Sequence, residues 1–167
     1  MNRPSITGDA VAHYSKLAPG RPAVVFCTNV RHAEDTAAAF RQAGYRAVAI
    51  SGESATEART QALDGLRTGV LDVVVNCQLW VAGVDAPSIG CVILLAPTKS
   101  VTKYLQSIGR GLRLAPGKQD LVVLDHAGNA FTHGIDFGLP CRVGQRMDLA
   151  VDVGLGNVIH VDQGQPC

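Results

Sequence analysis

Valine- and isoleucine-rich runs recur along the chain at "AVVFC" (23–27), "AVAIS" (47–51), "DVVVNC" (72–77), "CVILLA" (91–96) and "DLVVLD" (120–125). Each has the length of a strand and little polar alternation, the pattern of strands buried on both faces. The stretches between the first three, "VRHAEDTAAAFRQAG" and "ATEARTQALDGLRTG", read as helices, and each ends in glycine, as a helix stop should. Strand and helix alternate with a step of about 25 residues, which is the signature of parallel crossover units. The fold class this dictates is α/β, a parallel sheet of five or more strands with helices on both faces. A further helix is expected over "SVTKYLQSIGRGL", and "SATE" (54–57) carries the serine and glutamate of a capping box at the start of the second helix.

A chain of 167 residues suits one domain with a real core. Residues 1–21 read as a lead-in with a short helix around "DAVAHYSKL", 22–134 as the α/β domain, and 135–167 as a glycine-rich, loosely attached tail with one strand at "NVIHV". A net charge of +1 with 17% charged residues argues against a polyanion-coating protein, so any nucleic-acid contact is expected to be local. No apolar run approaches the roughly 18 residues that suggest a membrane span, and the first residues lack the layout of a secretory signal. A soluble, cytoplasmic protein without membrane contact is the default expectation. The five cysteines form no C-x-x-C pair, and Cys27, Cys77 and Cys91 read as small apolar strand residues. The histidines also lack metal-ligand spacing, so no metal site is expected.

In open parallel sheets, ligands collect beyond the carboxyl ends of the strands. After the first strand comes "CTNVRHAED", where Thr28 and Asn29 stand at a helix start. Backbone N–H groups there favour a phosphate, although either side chain could equally serve only as a helix cap. After the third strand comes "CQLWVAGVDAP". Gly83 permits a tight backbone path, Asp85 supplies a carboxylate for a sugar hydroxyl or a donor side chain, and Pro87 prevents helix continuation; an ordinary turn with a capping Asp reads as well. Trp80 reads as a core residue.

The stretch "QSIGRGLRLAPGK" (106–118) places glycines at 109 and 111 around Arg110, each costing about 1 kcal/mol in a helix relative to alanine. Arg110 and Arg113 are three apart, so a helical backbone points both the same way. Bidentate guanidinium forks match phosphate oxygens. Gln106, a turn earlier, is placed to bond a terminal phosphate or its attacking water. Glycine on either side of Arg110 is expected to keep its surroundings open to a ligand or a facing domain.

These residues carry a resemblance. "QSIGRGLR" resembles the Q-x-x-G-R-x-x-R signature, motif VI, of superfamily 2 helicases; "CQLWVAGVDAPSIGCVILLAPTKS" resembles motif V, and "VVFCTNVRHAEDTAAAF" motif IV. The three occur in order over about residues 22–130. The resemblance implies the C-terminal, RecA-like lobe of an ATP-dependent helicase or translocase. It implies that Arg110 and Arg113 act as arginine fingers on the phosphates of ATP, with Gln106 organising the terminal phosphate. Asp85 would reach the ribose or the opposite lobe, with Gly83 and Gly109 in the nucleotide-facing surface. Thr28, with Asn29 and Arg31 beside it, would touch the nucleic-acid backbone. Gln106 stands where RNA-directed DEAD-box enzymes have His, which points to the branch acting on DNA. Val81 and Ala82 replace the Thr-Glu that often precedes the motif V glycine, a departure that bears on coupling of ATP to nucleic acid.

A helicase also needs a G-x-x-x-x-G-K-[ST] phosphate loop and an acidic pair for magnesium and water. "GLRLAPGKQ" has one residue too many between its glycines, and the chain has no Asp-Glu dipeptide. Weak nucleotide affinity and no hydrolysis by this chain alone are therefore expected, with Mg held mainly by a first RecA-like lobe supplied in cis or in trans. A dinucleotide-binding oxidoreductase would need G-x-G-x-x-G after the first strand, and a serine hydrolase G-x-S-x-G at an elbow; neither occurs. The remaining rival is a non-catalytic, helicase-derived fragment or adaptor that keeps some nucleic-acid binding.

Overall fold

A computed structural model describes residues 4–77, 89–111, 118, 120–134 and 157–162. The chain opens with helix α1 (Pro4–Leu17), followed by strand β1 (Ala23–Cys27), α2 (Val30–Gln42), β2 (Ala47–Ser51), α3 (Thr56–Thr68) and β3 (Val73–Cys77). After residue 88 come β4 (Cys91–Leu94), α4 (Val101–Gly111), β5 (Asp120–Asp125), the short α5 (Asn129–His133) and β6 (Asn157–Asp162). The five apolar runs are thus the first five strands, and the helices fall where their periodicity placed them.

The sheet order is β2-β3-β1-β4-β5-β6. The first five strands are parallel. Every residue of β1 and β3 is buried, because helices cover both faces and leave no solvated side for polar alternation. On one face, Val25, Cys27, Val73, Val75, Ile93 and Leu124 pack under α1 and α2; on the other, Val24, Phe26, Val74, Val92 and Val123 pack under α3 and α4. Helix α2 buries Ala33, Thr36, Ala37 and Phe40, a spacing of i, i+3, i+4 and i+7 that forms one stripe. Helix α3 stops at Gly69, whose φ of 75° is the left-handed value that glycine adopts without a side-chain penalty.

One expectation is revised, and two expected elements prove to be tied into the fold. The capping box at "SATE" does not form: Ala55 is the N-cap with no side-chain bond, and the Ser54 hydroxyl instead accepts from Ser51 N at 2.9 Å. Residues 4–17 of the expected lead-in are a helix whose Ala10 and Tyr14 are fully buried. The Tyr14 ring meets Phe40 and Tyr45 edge-on at centroid distances of 5.6 and 5.0 Å, and its hydroxyl donates to Arg21 O at 2.7 Å. Finally, residues 157–162 of the expected tail pair with β5 along its whole length, and they do so antiparallel. An unpaired β5 edge would expose a row of backbone donors and acceptors, and β6 satisfies them.

Candidate nucleotide and nucleic-acid surfaces

Strands β1, β3 and β4 end around a cleft of about 210 Å³, lined by Phe26, Cys27, Thr28, Asn76, Leu94 and the loop Ala96–Thr98, with Lys103 and Ser107 from α4 and Asn129 from α5. The cleft lies where strand order reverses around β1, the place an open parallel sheet leaves room for a ligand. Its Cys27 is no nucleophile: burial pushes the thiol up to about 12, with only a bond to Thr36 opposing.

Thr28 stands at the mouth of this cleft, half-buried. Its hydroxyl lies 3.1 Å from His32 Nδ1 and accepts from Asn29 Nδ2 at 3.4 Å. Burial lowers the pKa of His32, so the imidazole is held neutral. Asn29 is the N-cap of α2, its side-chain oxygen accepting from His32 N at 2.8 Å. The capping alternative therefore holds for Asn29, while Thr28 lines the cleft. Arg31, in the first turn of α2, is exposed.

The opposite wall is built by hydrogen bonds. Asn129 accepts from Thr98 N at 2.9 Å and donates to Ala96 O at 3.2 Å. Asp125, 2% exposed, accepts from Ala127 N at 3.1 Å and Ala130 N at 2.7 Å. His133 Nε2 lies 2.6 Å from Thr98 O. A five-residue helix is far too short to stand alone, and these bonds are what hold α5 against the loop.

Helix α4 runs from this cleft toward the opposite, amino-terminal edge of the sheet. Tyr104, Ser107, Ile108 and Gly111 are its buried stripe, and Gln106 and Gly109 are exposed. The two glycines have different reasons. A Cβ on Gly111 would stand 2.6 and 2.8 Å from the Leu121 methyls and 3.1 Å from Val92 Cγ2, whereas one on Gly109 would meet nothing within 4 Å. Gly111 is therefore a close-packing residue, where open space had been expected; only the Gly109 position is open. The contacts of Gly111 with the second residues of β4 and β5 also put the end of α4 away from the carboxyl-edge cleft. The Lys118 ammonium bonds Gly111 O at that end, and burial lowers its pKa to about 8.

The five parallel strands with helices on both faces agree with the family comparison. The model of the helicase conserved C-terminal domain matches residues 8–115. The chain belongs to this family, the C-terminal RecA-like lobe of superfamily 2 helicases. The lobe is 40% identical over 102 residues to irc3 of Schizosaccharomyces pombe, named as a mitochondrial ATP-dependent helicase, covering 61% of this chain and 17% of irc3. Among solved structures it resembles Saccharomyces cerevisiae Dbp5 bound to RNA and ADP BeF3, with a TM-score of 0.54 at 18% identity over 63% of this chain and 28% of that one. It also resembles the Pyrococcus furiosus Hef helicase domain, with a TM-score of 0.55 at 20% identity over 74% and 26% of the two chains. At such identities the structures establish the fold, and the lobe spans well under a third of each of these three proteins.

Of the residues singled out in the sequence, Thr28, Asn29 and Arg31 cluster at the start of α2, and Gln106 and Gly109 share the exposed stripe of α4. Arg110 occupies the last turn of α4, with its side chain outside the described residues. Gly83, Asp85 and Arg113 also lie outside them, as do Trp80, Val81 and Ala82. Sequence reasoning passed over Asn76, Thr98, Lys103, Ser107 and Asn129. The rule that points beyond strand ends could have found Thr98 and Asn129, since "APTKS" and "HAGNA" directly follow β4 and β5.

Proposed function

We propose that this lobe completes an ATPase site whose phosphate-cradling half is carried by a first RecA-like lobe, and that it grips a nucleic-acid strand, DNA in this reading, at the carboxyl edge of its sheet. The observation that carries the reading is the division of α4 into a buried stripe and an open one. Gln106 and Gly109 are exposed on one side, Arg110 follows Gln106 at i+4, and the space beside Gly109 admits a ligand. Arg110 and Arg113 would hold the nucleotide phosphates, with Gln106 at the terminal one and Asp85 and Gly83 toward the ribose. ATP supplies the free energy for closing and opening the cleft between lobes. The residues of this chain contribute charge and orientation to the site; the magnesium ligands and phosphate loop belong to the other lobe.

For the strand, Thr28 supplies a hydroxyl held by two nitrogen neighbours, and Arg31 an exposed guanidinium. The DNA preference rests on Gln106 in the motif VI position. A mixture of this chain with a first lobe bearing the G-x-x-x-x-G-K-[ST] loop tests the reading through strand-stimulated ATP hydrolysis. The expected result is hydrolysis by the mixture and none by this chain alone, stimulated more by DNA than by RNA. Thr28→Ala is expected to weaken strand binding about ten-fold, the loss of one hydrogen bond to a charged group, and to spare unstimulated hydrolysis. A mixture no more active than the first lobe alone would favour the non-catalytic adaptor instead.

A further inference from the structure

Two helices of the lobe finish with backbone alone. At the end of α2, Ala43 N donates to Ala39 O at 3.1 Å and Gly44 N to Arg41 O at 3.0 Å, and α3 stops in the left-handed turn at Gly69. Helix α4 ends differently. The carbonyl of its last residue, Gly111, accepts from the ammonium of Lys118, seven positions on. The last carbonyls of a helix lack intrahelical donors and carry the negative end of its dipole, so a lysine suits the place. Lys118 is half-buried, however, and taking an ammonium out of water is costly unless it is paired. A water or a glycine turn would satisfy the same carbonyl without that cost, which argues that the charge does more than cap.

Among the described residues, the charged groups that face Lys118 are Asp120, at the start of β5, and Arg21, just before β1. Arg21 forks onto both oxygens of Asp120, and its stem packs against Gly90, where an added Cβ would stand 3.2 Å from Arg21 Cβ. Gly111 in turn is pressed against Leu121 and Val92. The carbonyl end of α4 is thus located twice, by close packing on β4 and β5 and by a lysine set beside the ion pair that fastens the start of β5. Arg110 lies in that last turn, next to the residue Lys118 holds, and Gly111 and Lys118 bracket Arg113 in sequence. A guanidinium that stabilises a transition state has to be held in place, since a displacement of about 1 Å can lower a rate about 100-fold. We propose that Lys118 is a positioning residue of this half-site: its ammonium holds the carbonyl end of α4, and with it the turn that carries Arg110, against the sheet. The inference rests on the reading that Arg110 serves the nucleotide, and it gives a role to a residue outside the motif VI signature.

Burial lowers the pKa of Lys118 to about 8, with Asp120 opposing and Arg21 adding to the shift. The ammonium is the form that bonds Gly111 O, so the tie is intact at neutral pH and is lost as pH rises through about 8. The test follows two quantities from about pH 6.5 to about pH 9.5, on either side of that value, for the wild type, Lys118→Met and Lys118→Arg. One is turnover in the reconstituted, strand-stimulated ATPase. The other is protection from hydrogen exchange at residues 108–111 in this chain alone, without nucleotide. Lys118→Met keeps the stem without the charge; at neutral pH it is expected to lower turnover about 10- to 100-fold and to lower protection, with neither declining further as pH rises. The wild type should lose turnover and protection together as pH passes about 8. Lys118→Arg, whose guanidinium stays charged, should keep both across the range. Wild-type turnover in Lys118→Met, or an alkaline decline that persists in Lys118→Arg, would overturn the positioning role and leave the half-site reading standing. A lower melting temperature in Lys118→Met with normal turnover and protection would make the lysine structural only and equally overturn it. If Lys118→Met does not fold, the pH profiles of the wild type and Lys118→Arg decide alone. Absence of hydrolysis in the wild-type mixture would overturn both readings.

Discussion

Replacing Gly111 by alanine asks whether the second glycine of motif VI serves packing or ligand access. The added methyl would meet two Leu121 carbons at 2.6 and 2.8 Å and Val92 at 3.1 Å. Both neighbours are fully buried, so neither can swing away. Overpacking of this kind costs about 1–3 kcal/mol, and the severity of the three contacts favours the upper half of that range. Against it stands the gain of about 1 kcal/mol from removing glycine from a helix. The balance is a loss of about 1–2 kcal/mol, equivalent to a melting temperature lower by roughly 2–8 °C in a domain of this size. Gly109→Ala is the internal control, because nothing stands within 4 Å of its Cβ; it should gain about 0.5–1 kcal/mol from helix propensity alone. Calorimetric melts of both variants beside the wild type give the answer. A Gly111→Ala protein melting at or above the wild type would refute the packing argument, as would two variants shifted equally.

Asn129→Ala leaves Thr98 N and Ala96 O without their side-chain partner, and should cost about 1–3 kcal/mol in urea unfolding while speeding hydrogen exchange at Thr98; unchanged stability would mean that the wall does not depend on it. His126 stacks on His13 at 5.0 Å, and burial, then the His13 neighbour, holds its pKa down to about 4, with Asp9 and Asp125 opposing. The unfolded chain takes up that proton near 6.5, so the contribution to stability is intact above about pH 6.5 and declines as pH falls toward about 4. His126→Gln should flatten that slope in unfolding curves taken between those limits, and an unchanged slope would contradict the assignment.

The strands were legible because burial on both faces writes itself as unbroken apolar runs: "AVVFC", "AVAIS" and "DLVVLD" are β1, β2 and β5 to the residue. What the sequence hid depends on distance along the chain. Gly109 and Gly111 look alike locally, and only the positions of Leu121 and Val92, ten or more residues away in sequence, make one a packing residue. The Ser54 hydroxyl had two partners within reach, and it bonds Ser51 N rather than the helix start, which no local pattern distinguishes. β6 lies more than thirty residues from β5 in sequence, so its pairing could not be read from periodicity. Among the candidate binding residues, Thr28 was visible from its place after a strand. Lys103 and Ser107 were not, because they reach the cleft from the first turns of a helix whose far end carried the recognisable motif.

The most direct test of the account compares Arg110→Ala and Arg113→Ala with the wild type in the reconstituted, strand-stimulated ATPase. Removal of an arginine finger is expected to lower the turnover number about 10³-fold or more, with each variant folded and still binding the strand. Turnover equal to wild type in both variants would contradict the claim that this lobe completes the catalytic site.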